Sequence, residues 1–186
     1  MYKTEVIYIN TKKIILDATI KLMKNNNINK LTVQKILDEA NISRSTFYKF
    51  FSDKYDVINY YFKYYVDSML NENCNQDLEN KCAYQFLYDN KDYFLNAFKI
   101  EGQNSFKSFF YDYYYKSCAE VYLANMSKET LSDDDKIALE CYCSGALHIT
   151  EQWLMNGAKE SPKHMAELTQ KLIPKKYWKN LKKTIA

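Results

Sequence analysis

Residues 31–58 read LTVQKILDEANISRSTFYKFFSDKYDVI, and the order of caps, apolar spacings and breaks in this stretch decides the fold. Thr32 can cap a helix, because its hydroxyl accepts from an otherwise unpaired first-turn N–H. Val33, Ile36, Leu37 and Ala40 follow at i, i+3, i+4 and i+7, which draws one apolar stripe on a helix of about two turns. Asn41 breaks the pattern as a residue that tolerates a left-handed turn. Ile42 is an apolar plug within that turn, and Ser43 is a second cap. The helix it opens has two faces. Phe47 and Phe51 lie on one, and Arg44, Ser45, Tyr48 and Lys49 lie on the other as a polar, basic, aromatic-bearing surface. Ser52 or Asp53 caps the next helix, with Lys54 in its first turn. A cation there opposes the helix dipole, so Lys54 makes more sense with a negative group in front of it.

Two short helices joined by a tight turn, the second with a basic outer face, have the geometry that enters a DNA major groove. The stretch resembles the DNA-binding domain of TetR-family transcriptional regulators over about residues 10–62. The resemblance rests on a first helix like Thr11–Lys24, a capping Thr like Thr32, and a Ser-x-x-Thr-Phe-Tyr-x-x-Phe core formed here by Ser43, Thr46, Phe47, Tyr48 and Phe51. A cation at the start of the fourth helix, Lys54, completes it. Ser45 stands where the family often has Gly; Ser is small and can itself bond a phosphate. The resemblance implies DNA contacts at Thr32, Ser43, Arg44, Ser45, Thr46, Tyr48, Lys49 and Lys54. Arg44, Tyr48 and Lys49 have the reach for base edges or phosphates, and the others for phosphates.

Composition agrees with helices. The 186 residues include only 3 Gly and 2 Pro, too few for a sheet protein with many turns. The chain is rich in rings, with 18 Tyr and 10 Phe. Net charge is +3, unevenly spread: residues 1–54 carry ten Lys/Arg against five Asp/Glu, and the rest is mildly acidic. That asymmetry fits a DNA-contacting head on a body that need not touch DNA. Five Cys occur without a Cys-x-x-Cys pair, which reads as reduced, structural thiols, with Cys118 or Cys141 the candidates for redox sensing. Cys141 and Cys143 lie about 200° apart on a helix and cannot chelate one metal together. No signal-peptide core appears at the N-terminus and no apolar run approaches the length of a membrane span, so a cytoplasmic protein is expected.

The spacings predict an all-α chain of about nine helices. Residues 1–9 form a short arm, and a first helix from Thr11 buries Ile14, Ile15, Ala18 and Leu22. A helix-turn-helix head covers residues 1–55, a helix from about 53 to Asn71 links it onward, and residues 56–186 form a helical effector-binding and dimerisation domain. Helices follow near 77–89, 92–100, 105–126, 133–156 and 161–173, with Leu78 and Cys82 inward in the first of these. A basic tail from Lys175 carries Tyr177 and Trp178.

The stretch from Ala138 to Pro174 is similar to the C-terminal domain of TetR-type regulators of Gram-positive bacteria, including those of dihydroxyacetone utilisation. Trp153, Leu154 and Gly157 carry the clearest part of that likeness. It implies dimerisation through the last two long helices. Ala138, Cys141, Gly145, Ile149 and Trp153 set small and then large residues along one stripe, which permits close helix approach in a four-helix interface. Tyr84, Phe94, Phe98, Phe106, Phe110, Tyr113, Tyr114 and His148 either line an effector pocket or fill an aromatic core. No Gly-rich phosphate loop, catalytic constellation, cofactor motif or metal-ligand cluster is present, so an enzyme is not expected. The expectation is a homodimeric repressor released from a palindromic DNA operator by a small molecule. The alternatives are an activator, or a helical partner-binding protein that has lost specific DNA binding.

Overall fold

The computed structural model describes residues 2–25, 30–71, 76–102 and 105–172, with side chains at 10–24, 30–68, 83–102 and 105–172. Cys74, the side chains of Met69, Leu78 and Cys82, and the tail with Tyr177 and Trp178 lie outside the described residues. Among the described residues the chain forms nine helices and no strand. They are α1 (Tyr2–Asn25), α2 (Val33–Ala40), α3 (Arg44–Tyr48), α4 (Lys54–Asn71), α5 (Gln76–Asp89), α6 (Lys91–Phe98), α7 (Phe106–Met126), α8 (Asp133–Met155) and α9 (Pro162–Lys171).

The all-α expectation holds, with one correction at the start. Residues 2–9 are not an arm but the first turns of α1, since MYKTEVIYI contains no Gly or Pro to stop a helix propagating upstream. The inward face of α1 is also rotated from the expected one. Ile15, Leu16, Ala18, Thr19 and Met23 are buried, whereas Ile14 is exposed. Thr19 can be buried because its hydroxyl donates to the Ile15 carbonyl at 2.8 Å, which satisfies it inside the helix.

The chain divides into two compact units, residues 1–74 with 90–107 and residues 75–89 with 108–186. In the first unit, α6 is part of the same body as the helix-turn-helix. The Asn96 amide donates to the Met23 carbonyl at 2.9 Å, and so occupies an acceptor in the last turns of α1. Tyr93, fully buried, donates to the Ile58 carbonyl at 3.1 Å, and Tyr61 donates to Asn90 Oδ1 at 3.0 Å. Burial pushes the Tyr61 and Tyr93 hydroxyl pKa values upward. Around these bonds the rings of Tyr61, Phe62, Phe94, Phe98 and Phe106 interlock, with Phe98 and Phe106 centroids 5.0 Å apart at 79° and Phe62 and Phe106 5.7 Å apart at 79°. Such edge-on contacts add to the burial of the rings themselves.

In the second unit α5 packs on α9. A seam of hydroxyl groups crosses the interior: Tyr84 and Thr150 oxygens lie 2.9 Å apart, as do the Tyr114 and Tyr142 oxygens, and Tyr142 donates to the Thr169 carbonyl at 3.4 Å. The turn from α8 to α9 folds onto Trp153, whose indole N–H donates to the Glu160 carbonyl at 3.1 Å. Gly157 and Ala158 both take left-handed φ, 89° and 51°. Their N–H groups bond the Leu154 and Trp153 carbonyls, which is how an α-helix is closed by a left-handed cap. Asp135 stands in the first turn of α8. It is buried, with its carboxylate accepting from Ser132 Oγ at 2.7 Å and lying 3.2 Å from the Lys128 ammonium.

Candidate nucleic-acid interface

The head places its candidate contacts by capping chemistry. Thr32 Oγ1 accepts from the Lys35 N–H at 3.3 Å and opens α2. Asn41 takes the left-handed conformation at φ 50°, and the Asn41 and Ile42 N–H groups both return to the Leu37 carbonyl. Ser43 Oγ accepts from the Thr46 N–H at 3.1 Å, and its oxygen lies 2.9 Å from Ser45 Oγ and 2.8 Å from Thr46 Oγ1. Three hydroxyl groups therefore cluster at the first turn of α3, beside its unpaired backbone donors.

Phe47 is fully buried and Phe51 nearly so, and these two rings orient α3. With them inside, Arg44, Ser45, Tyr48 and Lys49 are all exposed. Tyr48 stands with 49% of its surface in solvent and its ring edge-on to Phe47 at 5.4 Å. Thr32 and Ser43 are exposed; Thr46 and Lys54 are half-buried. Asp53 Oδ1 accepts from the Asp56 N–H at 2.8 Å, and Asp56 in turn accepts from the Ser52 N–H and hydroxyl, each at 3.0 Å. Ser52 and Asp53 thus share the start of α4 in a reciprocal arrangement like a capping box. Lys54 Nζ donates to the Leu31 carbonyl at 2.7 Å, so a backbone oxygen supplies the partial negative charge in front of it.

One residue of this surface escaped the sequence reading. Gln34 is exposed on α2, accepts from Arg44 Nη2 at 3.0 Å and donates to Asp38 at 2.8 Å. The available signal was the i, i+4 pair of Gln34 and Asp38 on the solvent face of α2.

The eight aromatic and histidine candidates divide between the two units. Phe94, Phe98 and Phe106 are buried in the ring cluster of the first unit. Tyr84, Phe110, Tyr113, Tyr114 and His148 belong to the second. Of these, Tyr84 and Phe110 are buried, Tyr113 is half-buried and stacked on Phe109, and His148 is exposed. Tyr114 stacks on Phe110 and is half-buried as a residue, though its hydroxyl is enclosed and pushed upward in pKa by burial. Of the five interface candidates, Cys141 and Gly145 are exposed, Ala138 and Ile149 are half-buried, and Trp153 is buried against Tyr84 and Tyr88 within its own unit. The exposed line on α8 runs through Ile137, Cys141, Gly145, His148 and Gln152. Among the described residues, no group of three His, Cys, Asp or Glu side chains is placed to hold a metal ion, and no helix is long and apolar enough to cross a membrane.

Comparison with known proteins agrees with this geometry. Residues 15–61 match the family profile of bacterial regulatory proteins of the tetR family, and residues 82–175 match that of a transcriptional regulator C-terminal region. No curated protein matches the chain in sequence. Solved structures share its fold. The dihydroxyacetone kinase operon activator DhaS is 22% identical, covering 89% of this chain and 94% of its own, with a TM-score of 0.66. The fatty acid degradation regulator FadR from Bacillus halodurans is 16% identical over 88% and 94%, at 0.59. The Thermus thermophilus FadR, a transcriptional repressor in complex with lauroyl-CoA, is 15% identical over 87% and 92%, at 0.53. With a helix-turn-helix head matching one half of the family's pattern and its last five helices matching the other, the chain belongs to the TetR family of DNA-binding transcriptional regulators, and is a transcription factor rather than an enzyme.

Proposed function

We propose that the protein is a cytoplasmic homodimer that binds a palindromic operator with its head, residues 1–55, and answers to a small molecule held in the remaining domain, residues 56–186. The observation that carries this reading is the exposed face of α3. Arg44, Ser45, Tyr48 and Lys49 point outward together from a helix fixed by two buried Phe rings. Arg44 is the base reader, its guanidinium donating to Gln34 Oε1 at 3.0 Å. Ser43, Ser45 and Thr46 present hydroxyl groups to phosphate, joined by Thr32, Lys49 and Lys54, and Tyr48 packs on the groove wall. Two such heads sit about 34–36 Å apart, one turn of duplex.

Dimerisation runs through α8 and α9. The exposed line of Ile137, Cys141 and Gly145, flanked by half-buried Ala138 and Ile149, supports close helix approach, while Trp153 of the same helix is buried against Tyr84 and Tyr88. Tyr84, Phe110, Tyr113 and Tyr114 support an effector with an apolar body and one polar end, since hydroxyl pairs lie among apolar rings there. The acyl thioester bound by the Thermus FadR has that character. The effector must favour the dimer state with the wrong head spacing to release DNA. Repression follows if the operator overlaps a promoter; activation is the second reading, favoured by the structural likeness to DhaS, an operon activator.

Capture of sheared genomic DNA tests the reading. The wild-type chain should retain a small set of fragments, and an Arg44→Ala, Tyr48→Ala, Lys49→Ala variant should retain none of them. Equal, unselective retention by both, with little dependence on salt, would favour a partner-binding protein instead.

A further inference from the structure

The Gln34 side chain is held from both ends of its amide. Its Nε2 donates to Asp38 Oδ1 at 2.8 Å, and its Oε1 accepts from Arg44 Nη2 at 3.0 Å. A carboxylate accepts and a guanidinium donates, so only one of the two orientations of the amide satisfies both neighbours. The local fold sets the spacing. Gln34 and Asp38 stand at i and i+4 on α2, which puts them one above the other on a single face. Buried Ile36 and Leu37 turn that face to solvent, and the left-handed Asn41 returns the chain so that Arg44, at the start of α3, reaches it. All three side chains are exposed.

We propose that Asp38 and Gln34 are positioning residues that aim the Arg44 guanidinium, so that discrimination at the base Arg44 meets depends on a carboxylate that itself repels DNA. The inference rests on the reading of Arg44 as the base reader. A guanidinium carries five N–H donors, and Gln34 engages it at one nitrogen, Nη2. The remaining donors still form a fork that fits the two acceptors of a guanine, O6 and N7. An arginine free to swing meets a phosphate as readily as a base, and phosphate contacts carry no sequence information. Pinning one nitrogen removes part of that freedom before DNA arrives. Asp38 acts at one remove. Without it the Gln34 amide is free to turn over and set its NH2 against the guanidinium, donor against donor.

The charge of Asp38 gives the role a signature. An anion beside a phosphate backbone lowers affinity for every sequence. Its removal therefore pulls overall affinity and selectivity in opposite directions, which a residue acting by charge alone would not do.

Duplex selection from a random library by the purified full chain and its variants tests this, followed by fluorescence anisotropy on the enriched and scrambled duplexes. Arg44→Ala should erase the preference at one base pair of each half-site. Gln34→Ala and Asp38→Ala should flatten that same base pair, lowering the ratio of operator to scrambled affinity by at least about twofold. Asp38→Ala should also bind scrambled DNA more tightly than wild type does. Asp38→Asn keeps an acceptor without the charge and should restore the ratio. Adding Asp38→Ala to Arg44→Ala should change the ratio no further. Both alanine substitutions put a strong helix former at an exposed position of α2, so the fold is kept. A uniform gain by Asp38→Ala on all sequences, with the ratio intact, would overturn the positioning role and leave Arg44 as the base reader. Failure of Asp38→Asn to restore the ratio would overturn it too, as would a further loss of ratio in the Arg44→Ala background. Equal loss on both duplexes in Arg44→Ala, or no enrichment by the wild-type chain, would fell the base reading and the positioning role with it.

Discussion

Lys54 Nζ donates to the Leu31 carbonyl oxygen at 2.7 Å, so the first residue of α4 is tied to the residue just before the cap of α2. The bond closes the helix-turn-helix against the long helix that follows it. Replacing Lys54 by Met keeps the apolar stem and removes the donor. A charge-assisted bond at a half-buried site is worth about 1–2 kcal/mol after solvent screening. The melting temperature should fall by about 2–8 °C, and affinity should fall alike on operator and scrambled DNA. Loss confined to the operator would mean that Lys54 reads sequence.

Arg44 and Gln34 give a contrasting prediction. Arg44→Ala should cost about 1–3 kcal/mol on the operator and much less on scrambled DNA, if the guanidinium pairs with a guanine. Gln34→Ala leaves Arg44 in place but removes its 3.0 Å partner, so its loss should be smaller and of the same sequence-selective kind. Fluorescence anisotropy on the two duplexes measures both. An equal loss on both duplexes would make Arg44 a phosphate contact.

Lys49 should behave as a phosphate contact. Lys49→Ala should weaken binding to all sequences and reduce the slope of log affinity against log salt by about one. An unchanged slope would remove Lys49 from the interface.

Much of this was legible in residues 31–58. Thr32 and Ser43 cap where their spacing to the apolar stripe says they must, and buried Phe47 leaves Arg44, Tyr48 and Lys49 no direction but outward. Periodicity failed where a polar residue satisfied itself locally. Thr19 back-bonds to Ile15, so α1 turns a face that a hydrophobic count would not choose. Long-range partners were out of reach as well. The Asn96 bond to Met23, which makes α6 part of the head's unit, leaves no trace in local spacing.

Asn96 offers a stability test of that long-range tie. Asn96→Ala leaves the Met23 carbonyl without its side-chain donor and should cost about 1 kcal/mol in urea unfolding. An unchanged midpoint would mean that water replaces the amide at no cost.

The buried tyrosines predict alkaline lability. Tyr61, Tyr84, Tyr93 and Tyr142 have hydroxyl pKa values raised above 10, chiefly by burial. In the unfolded chain these groups ionise near the ordinary value, so above about pH 10 the unfolded state binds fewer protons than the folded one. Stability therefore falls as pH rises, by up to about 1.4 kcal/mol per pH unit for each such group. Absorbance at 295 nm should show the exposed tyrosines titrating first and these four only with loss of helix. A single smooth titration of all 18 tyrosines in a still-folded chain would contradict their burial.

The measurement that tests the central claim most directly is selection of bound duplexes from a random library by the purified chain without ligand. Enrichment of an inverted repeat, with half-sites about one helical turn apart, is the result expected of two α3 helices presented by a dimer. Recovery of no sequence preference, with only weak, salt-sensitive binding, would contradict it.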